Sequence, residues 1–171
     1  MTELMIRPLG LHPEAIPVVA GWLFDEWGHR RPGSTLNEAT SLLSERANMK
    51  SLPIAGVAIS SSGIPLATAR LVEREEDNDE FGPWVASVYT VPPARRTGLA
   101  TQLVRHVEKE TFLIGYERIL PATSNTKLYE DLGWHPTDRT KYGESVMEKK
   151  IRPSCEMKTL RGCRRTSINV K

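Results

Sequence analysis

Apolar residues at Ile16, Val19, Ala20, Leu23, Phe24 and Trp27 recur at helical spacing, which predicts a helix from about Pro13 to Trp27. Pro13 and Pro17 fall in its first turns, where a missing N–H costs little. Residues 3–8 before it read as a strand. Gly28 to Ser34 breaks the pattern, and Thr35 or Asn37 opens a second helix carrying Leu36, Leu42, Leu43 and Ala47. Pro53–Ile59 and Ile64–Val72 read as two strands joined at Ser60-Ser-Ser-Gly63, a hairpin turn signal. After an acidic run, Glu73 to Glu80, comes a strand at Trp84–Val91. There Val85, Ser87, Tyr89 and Val91 are expected on one face and Ala86, Val88 and Thr90 on the other. Pro92-Pro93 ends that strand, and Gly98 begins a helix to about Thr111 with Leu99, Leu103, Val107 and Phe112 inward. A short strand at Glu117–Pro121 and a short helix at Asn125–Leu132 follow, with Gly133 as its C-cap residue. Trp134–Thr137 and Ser145–Ile151 are the last strands. This order gives an α+β domain around a single central mixed β-sheet flanked by helices.

Composition leaves that picture intact but divides the chain. The 171 residues are 39% hydrophobic and 26% charged, an ordinary globular balance. The longest strongly apolar stretch, about Pro17–Phe24, is far short of the ~20 residues of a membrane span. The N-terminus has no basic segment leading into an apolar one, so a cytoplasmic location is expected. Residues 152–171 hold six bases and one acid, a net of +5, whereas residues 1–151 hold 17 bases and 20 acids, a net of −3. Both cysteines, Cys155 and Cys163, lie in that extension, which contains no aromatic residue. A domain over 1–151 and a peripheral basic tail over 152–171 follow. Without interleaved aromatics the tail makes a weak case for nucleic acid. The cysteine spacing is not that of a zinc site, and His12, His29, His106 and His135 show no metal-ligand spacing either.

The chemistry concentrates in Tyr89-Thr-Val-Pro-Pro-Ala-Arg-Arg-Thr-Gly-Leu-Ala-Thr-Gln-Leu103, where a strand turns directly into a helix with small first residues. Such a helix start presents unpaired backbone N–H groups and the positive end of the macrodipole. Gly98 lets a ligand approach the backbone, Ala100 keeps the first turn uncrowded, and Arg95 and Arg96 add charge. Together they suit a pyrophosphate or similar anion. The segment has neither the Gly-x4-Gly-Lys-Ser/Thr loop nor the Gly-x-Gly-x-x-Gly fingerprint.

Arg95-x-x-Gly98-x-Ala100 resembles the acetyl-CoA signature Arg/Gln-x-x-Gly-x-Gly/Ala of the GNAT superfamily of N-acetyltransferases. Asn125-Thr-Lys-Leu-Tyr129-Glu-Asp-Leu-Gly-Trp134 is similar to that family's second motif, Asn…Tyr-Glu-x-Leu-Gly-Phe. The resemblance spans about residues 3–151 and leaves the tail unmatched. It implies a GNAT-like fold, acetyl-CoA as co-substrate, no metal, and direct attack by a primary amine in a ternary complex. The acceptor would be a small-molecule amine or a peptide N-terminus, and the enzyme a monomer or homodimer.

The resemblance also implies roles. Tyr89, Thr90 and Val91 would give main-chain contacts, and Arg95, Arg96, Thr97, Gly98, Leu99, Ala100 and Thr101 would surround the phosphates through backbone N–H groups. Asn125 would contact CoA or cap its helix, or both. Tyr129 would be the general acid for the CoA sulfur. The general base is less defined: the strand position where some members carry Glu lies in Trp84-Val-Ala-Ser, leaving Glu26, Asp25 or a water chain. Trp27 and Trp84 would border the acceptor, whose identity would depend on segments 28–35, 73–83 and 136–144. The acidic run could steer a cationic acceptor. Absence of cysteine from residues 1–151 fits transfer without a covalent enzyme intermediate. The alternatives are a non-catalytic acyl-CoA-binding sensor on the same fold and a nucleic-acid-binding protein working through its tail.

Overall fold

A computed structural model describes residues 5–74 and 81–152. Most of the acidic run, and the tail beyond Arg152 with both cysteines, lie outside the described residues. Seven strands form one sheet in the order β1-β2-β3-β4-β5-β7-β6. They are β1 (Met5–Pro8), β2 (Ile54–Ile59), β3 (Pro65–Val72), β4 (Trp84–Thr90), β5 (Arg118–Thr123), β6 (His135–Lys141) and β7 (Glu144–Lys150). Every neighbouring pair is antiparallel except β4 and β5. The helices are α1 (Ile16–Trp27), α2 (Leu36–Arg46), α3 (Leu99–Ile114) and α4 (Thr126–Glu130). Among the described residues no helix is long and apolar enough to cross a membrane.

Period-2 alternation in β2 divides the core. Ala55, Val57 and Ile59 pack with Val19 and Ala20 of α1 and Leu43 of α2, while Ala58 joins Leu103, Val104 and Val107 of α3 on the other side. The two apolar helix faces thus cover opposite faces of one sheet, and the strand between them is buried throughout. The Pro13 region forms a separate 3-10 turn, and the α-helix starts at Ile16. Thr35 is the N-cap of α2 in a reciprocal capping box: its hydroxyl accepts from Glu38 N–H, and the Glu38 carboxylate accepts from Thr35 N–H.

Two strands depart from the sequence pattern. In β4, Thr68 pairs with Tyr89 but Arg70 with Ala86, so β4 carries one extra residue. The extra residue is accommodated at Ser87, whose φ of 54° is left-handed. Alternation inverts across this bulge. Val85 and Val88 both pack against the α3 core, whereas Tyr89 turns to α1 and stacks on Trp22 at 5.5 Å. The expected single face of Val85, Ser87, Tyr89 and Val91 is therefore corrected.

The final hairpin is also longer than expected. Residues 136–144 are not an open loop: β6 runs to Lys141 and returns through Tyr142-Gly143, both at positive φ (55° and 76°). Strand β6 pairs with β7 alone at the sheet edge and is largely exposed, so its sequence lacks the apolar alternation of a buried strand.

Candidate active site

Strands β4 and β5 pair only at Trp84–Leu120 and Val85–Pro121. Beyond Val85 the bulge carries β4 away, and the sheet opens between Val88–Thr90 and Ala122–Thr123. Arg70 Nε and Nη2 donate to Ser87 Oγ at 3.2 and 2.9 Å and brace the bulge from β3. The chain then passes Pro92–Ala94 and reaches α3 through two left-handed residues, Arg96 (φ 64°) and Gly98 (φ 84°). The first helical bond runs from Gln102 N–H to the Gly98 carbonyl. Among the described residues, the N–H groups of Arg96 through Thr101 donate to no carbonyl of the fold. A Cβ on Gly98 would meet no atom within 4 Å, so the space beside this residue is open. The arrangement fits a diphosphate: consecutive donors, the positive end of a sixteen-residue helix, and open space at Gly98.

The signature side chains divide into distinct parts. Leu99 is buried in the core. Arg95 Nε donates to the Thr90 carbonyl at 3.0 Å and its guanidinium lies 5.9 Å from the Tyr89 ring, tying the turn to the end of β4. Thr97 Oγ1 donates to the Ala94 carbonyl at 2.6 Å, which shapes the turn. Ala100 and Thr101 sit half-buried in the first turn of α3. The main chain of Val91 is engaged within the fold: its N–H donates to the Leu66 carbonyl and its own carbonyl accepts from Ala94 N–H, each at 2.9 Å. The Thr90 hydroxyl oxygen, by contrast, is buried without any hydrogen-bond partner.

A cleft of about 1170 Å³ opens between α1, α2 and the sheet and extends to the gap between β4 and β5. Glu26, Trp27, Arg30, Tyr129 and Glu144 are on its wall. Asp25, the other acid at the end of α1, is exposed and off the wall. Trp84 is also off the wall, a correction to its expected place beside the acceptor. It is fully buried with Leu120 and Val146, its Nε1 donates to the Phe81 carbonyl, and Lys141 Nζ lies 4.6 Å from its ring. As the first residue of the segment where β4 and β5 do pair, it belongs to the closed part of the sheet.

Asn125 caps α4, its Oδ1 accepting from Leu128 N–H at 3.4 Å, and lies on the cleft. Tyr129, one turn later, is 3% exposed and makes no protein hydrogen bond through its hydroxyl among the described residues. Burial pushes its phenol up from the ordinary tyrosine range, and the Glu144 carboxylate adds to the shift. A phenol so placed stays protonated and available as a donor.

Glu144 is the functional candidate that sequence reasoning missed. It is far from α1 in the chain and reaches the cleft only because the tight Tyr142-Gly143 turn folds it back. Arg30, on the turn after α1, stands 3.9 Å from its carboxylate and 4.6 Å from the Tyr142 ring.

A parallel pair that separates at a bulge opens onto the cleft, and the bulged strand runs on into the amide-rich start of α3. The chain matches the model of the acetyltransferase (GNAT) family over residues 19–134, and it belongs to that family. Its fold is similar to that of an aminoglycoside 6'-N-acetyltransferase complexed with coenzyme A, at TM-score 0.69 and 15% identity, covering 88% of this chain and 98% of that one. It is also similar to mutant forms of the spermidine/spermine N-acetyltransferase SpeG from Vibrio cholerae (TM-score 0.62, 13% identity, 86% and 95% covered). The structure of yncA from Salmonella typhimurium with its cofactor acetyl-CoA is a third similar fold (TM-score 0.60, 15% identity, 90% and 96% covered). No curated protein matches the chain.

Proposed function

We propose that this acetyltransferase moves the acetyl group of acetyl-CoA to a primary amine by direct attack in a ternary complex. The observation that carries the reading is the junction of β4 and α3. Six consecutive amides, Arg96 to Thr101, donate to no carbonyl of the fold among the described residues; they follow the strand that leaves the gap in the sheet, and residues flanking that gap line one cleft with Tyr129. The amides hold the diphosphate, and the exposed edge of β4 at Val88–Thr90 takes the pantetheine arm. Holding thioester and amine in one cleft lowers the barrier mainly through orientation, worth up to ~7–11 kcal/mol.

Tyr129 acts as hydrogen-bond donor to the departing sulfur. Its raised pKa keeps the phenol protonated at working pH, and the same shift makes outright ionisation costly. The proton therefore passes to sulfur as the amine nitrogen returns one to the phenol. Glu26 and Trp27, on the α1 wall, border the acceptor.

The test is an acetyl-CoA consumption screen against aminoglycosides, polyamines, amino acids and N-terminal peptides, with coenzyme A binding followed by calorimetry. Turnover with one amine class, lost in Tyr129→Phe while coenzyme A still binds, is the expected result. Tight binding with silence across every class would make the protein an acyl-CoA sensor. No heat with coenzyme A would remove the site altogether.

A further inference from the structure

We propose that Glu144 is a catalytic residue of this site: its carboxylate receives the acceptor ammonium and takes its proton before attack. The inference rests on the acetyl-transfer reading above and names the group that reading lacks. Three observations carry it. Glu144 opens β7 directly after a two-residue turn with both residues left-handed, and it pairs in register with Lys141. Its carboxylate is thus carried by a rigid strand end rather than a loop.

Next, the side chain is 28% exposed on the cleft wall, and among the described residues its ion-pair partner is Arg30 at 3.9 Å, beyond hydrogen-bond length. It retains acceptor capacity for an incoming N–H. Finally, it lines the same cleft as Tyr129, close enough for its charge to act on the phenol. An amine between them has a proton acceptor on one side and a proton donor to sulfur beyond.

The surroundings support this division. Arg30 faces Glu144 from the turn after α1, Tyr129 from α4, and Glu26 lies across the same cleft on α1. Lys141 and Tyr142 belong to its own hairpin, but Lys141 Nζ sits over the rings of Trp84 and Tyr142, at 4.6 and 5.2 Å. Glu26, by comparison, is exposed at the outer end of α1. In the reaction, R–NH3+ gives one proton to Glu144 and the freed lone pair forms the N–C bond. The C–S bond breaks as sulfur takes the Tyr129 proton, the nitrogen restores that proton, and Glu144 releases its own to solvent. One proton leaves per acetyl group moved.

The experiment compares wild type and Glu144→Gln with acetyl-CoA and three probes. Spermidine and kanamycin are ammonium ions at pH 7, whereas hydroxylamine is largely neutral and needs no base. For Glu144→Gln, kcat with the ammonium probe that turns over should fall about 100-fold at pH 7. It should recover as pH rises and free amine accumulates, because a neutral amine needs no proton acceptor. Hydroxylamine turnover should hold within about threefold, and coenzyme A affinity should not move, which also reports an intact fold. A Glu144→Gln enzyme that keeps its rate with ammonium probes, or loses both kinds of probe equally, overturns the role of Glu144 alone. Wild type inert toward all three probes overturns the acetyltransferase reading, and the role of Glu144 with it.

Discussion

Tyr129 and Trp134 meet edge to face, with ring centroids 5.2 Å apart and planes inclined by 78°. Trp134 is itself fixed: its Nε1 donates to Glu108 Oε1 at 2.7 Å. Lys149 Nζ donates to the same oxygen at 2.9 Å and to the Leu132 carbonyl at 2.7 Å. The indole therefore ties α4 to α3 and β7. A five-residue helix could not by itself hold a phenol in one place. The edge-to-face contact and the network behind it supply the missing rigidity.

Replacing Trp134 by Phe keeps an aromatic edge but removes the indole donor, leaving Glu108 with Lys149 alone. Loss of one hydrogen bond to a buried carboxylate should cost about 1.5–3 kcal/mol in urea unfolding. The phenol loses its fixed neighbour at the same time, so kcat should drop while the KM for acetyl-CoA stays near wild type. Equal stability of variant and wild type would show that the Glu108–Trp134 bond holds nothing in place.

Tyr129→Phe separates chemistry from folding. The hydroxyl has no protein partner among the described residues, so its removal should leave the melting temperature unchanged or slightly raised. Turnover should fall by about 10²-fold, the usual share of a positioned proton donor. The alkaline limb of stability gives a second readout. The folded pKa is raised, so above the ordinary tyrosine value near 10 the unfolded chain has lost a proton the native state still holds. Native stability contributed by this phenol is complete below that pH and is lost as pH rises above it. Alkaline destabilisation should accordingly be shallower in Tyr129→Phe. Identical alkaline slopes in urea titrations would argue against a buried, protonated phenol.

Which parts could be read from sequence follows from the range over which each signal acts. The helix of Leu103, Val107 and Phe112, the break at Gly28 and the amide-rich start at Gly98 are local, and apolar spacing or one glycine reports them. Asn125 as a cap and Tyr129 four residues later are legible for the same reason. Ser87 is not: a non-glycine residue at positive φ leaves no mark on period-2 alternation, yet it inverts the outer half of β4. Trp84 misled because its strand lies next to the site, while its own position falls where β4 and β5 still pair. Glu144 was invisible because its partners, Arg30 and Tyr129, come from the first helix pair and from α4. Long-range closure of this kind depends on sheet order, not on spacing along the chain.

Gly98→Ala tests the anion site through its backbone. At φ 84° an added Cβ meets no neighbour, so the cost is conformational, about 1–2 kcal/mol. The methyl group would stand in the open approach to the amides. Coenzyme A affinity by calorimetry should weaken at least tenfold, more than the stability loss alone would cause in a protein that stays folded. Retention of wild-type affinity would move the diphosphate away from this turn.

The Thr90 hydroxyl offers the sharpest separation of folding from ligand binding. It is buried without a partner, beside the open edge of β4, and its carbonyl is already engaged by Arg95. Valine has nearly the same shape and a strong strand preference. Thr90→Val removes a desolvated polar group that the free protein does not satisfy, and it should stabilise that state by about 1 kcal/mol. If the pantetheine arm lies along β4, the same hydroxyl gains its partner on binding, and the variant should bind coenzyme A about tenfold more weakly. Paired melting curves, with and without coenzyme A, read both effects at once: a higher melting temperature alone and a smaller ligand-induced rise. A variant whose free form melts lower and whose rise with ligand is undiminished would place the hydroxyl in the fold and the ligand elsewhere.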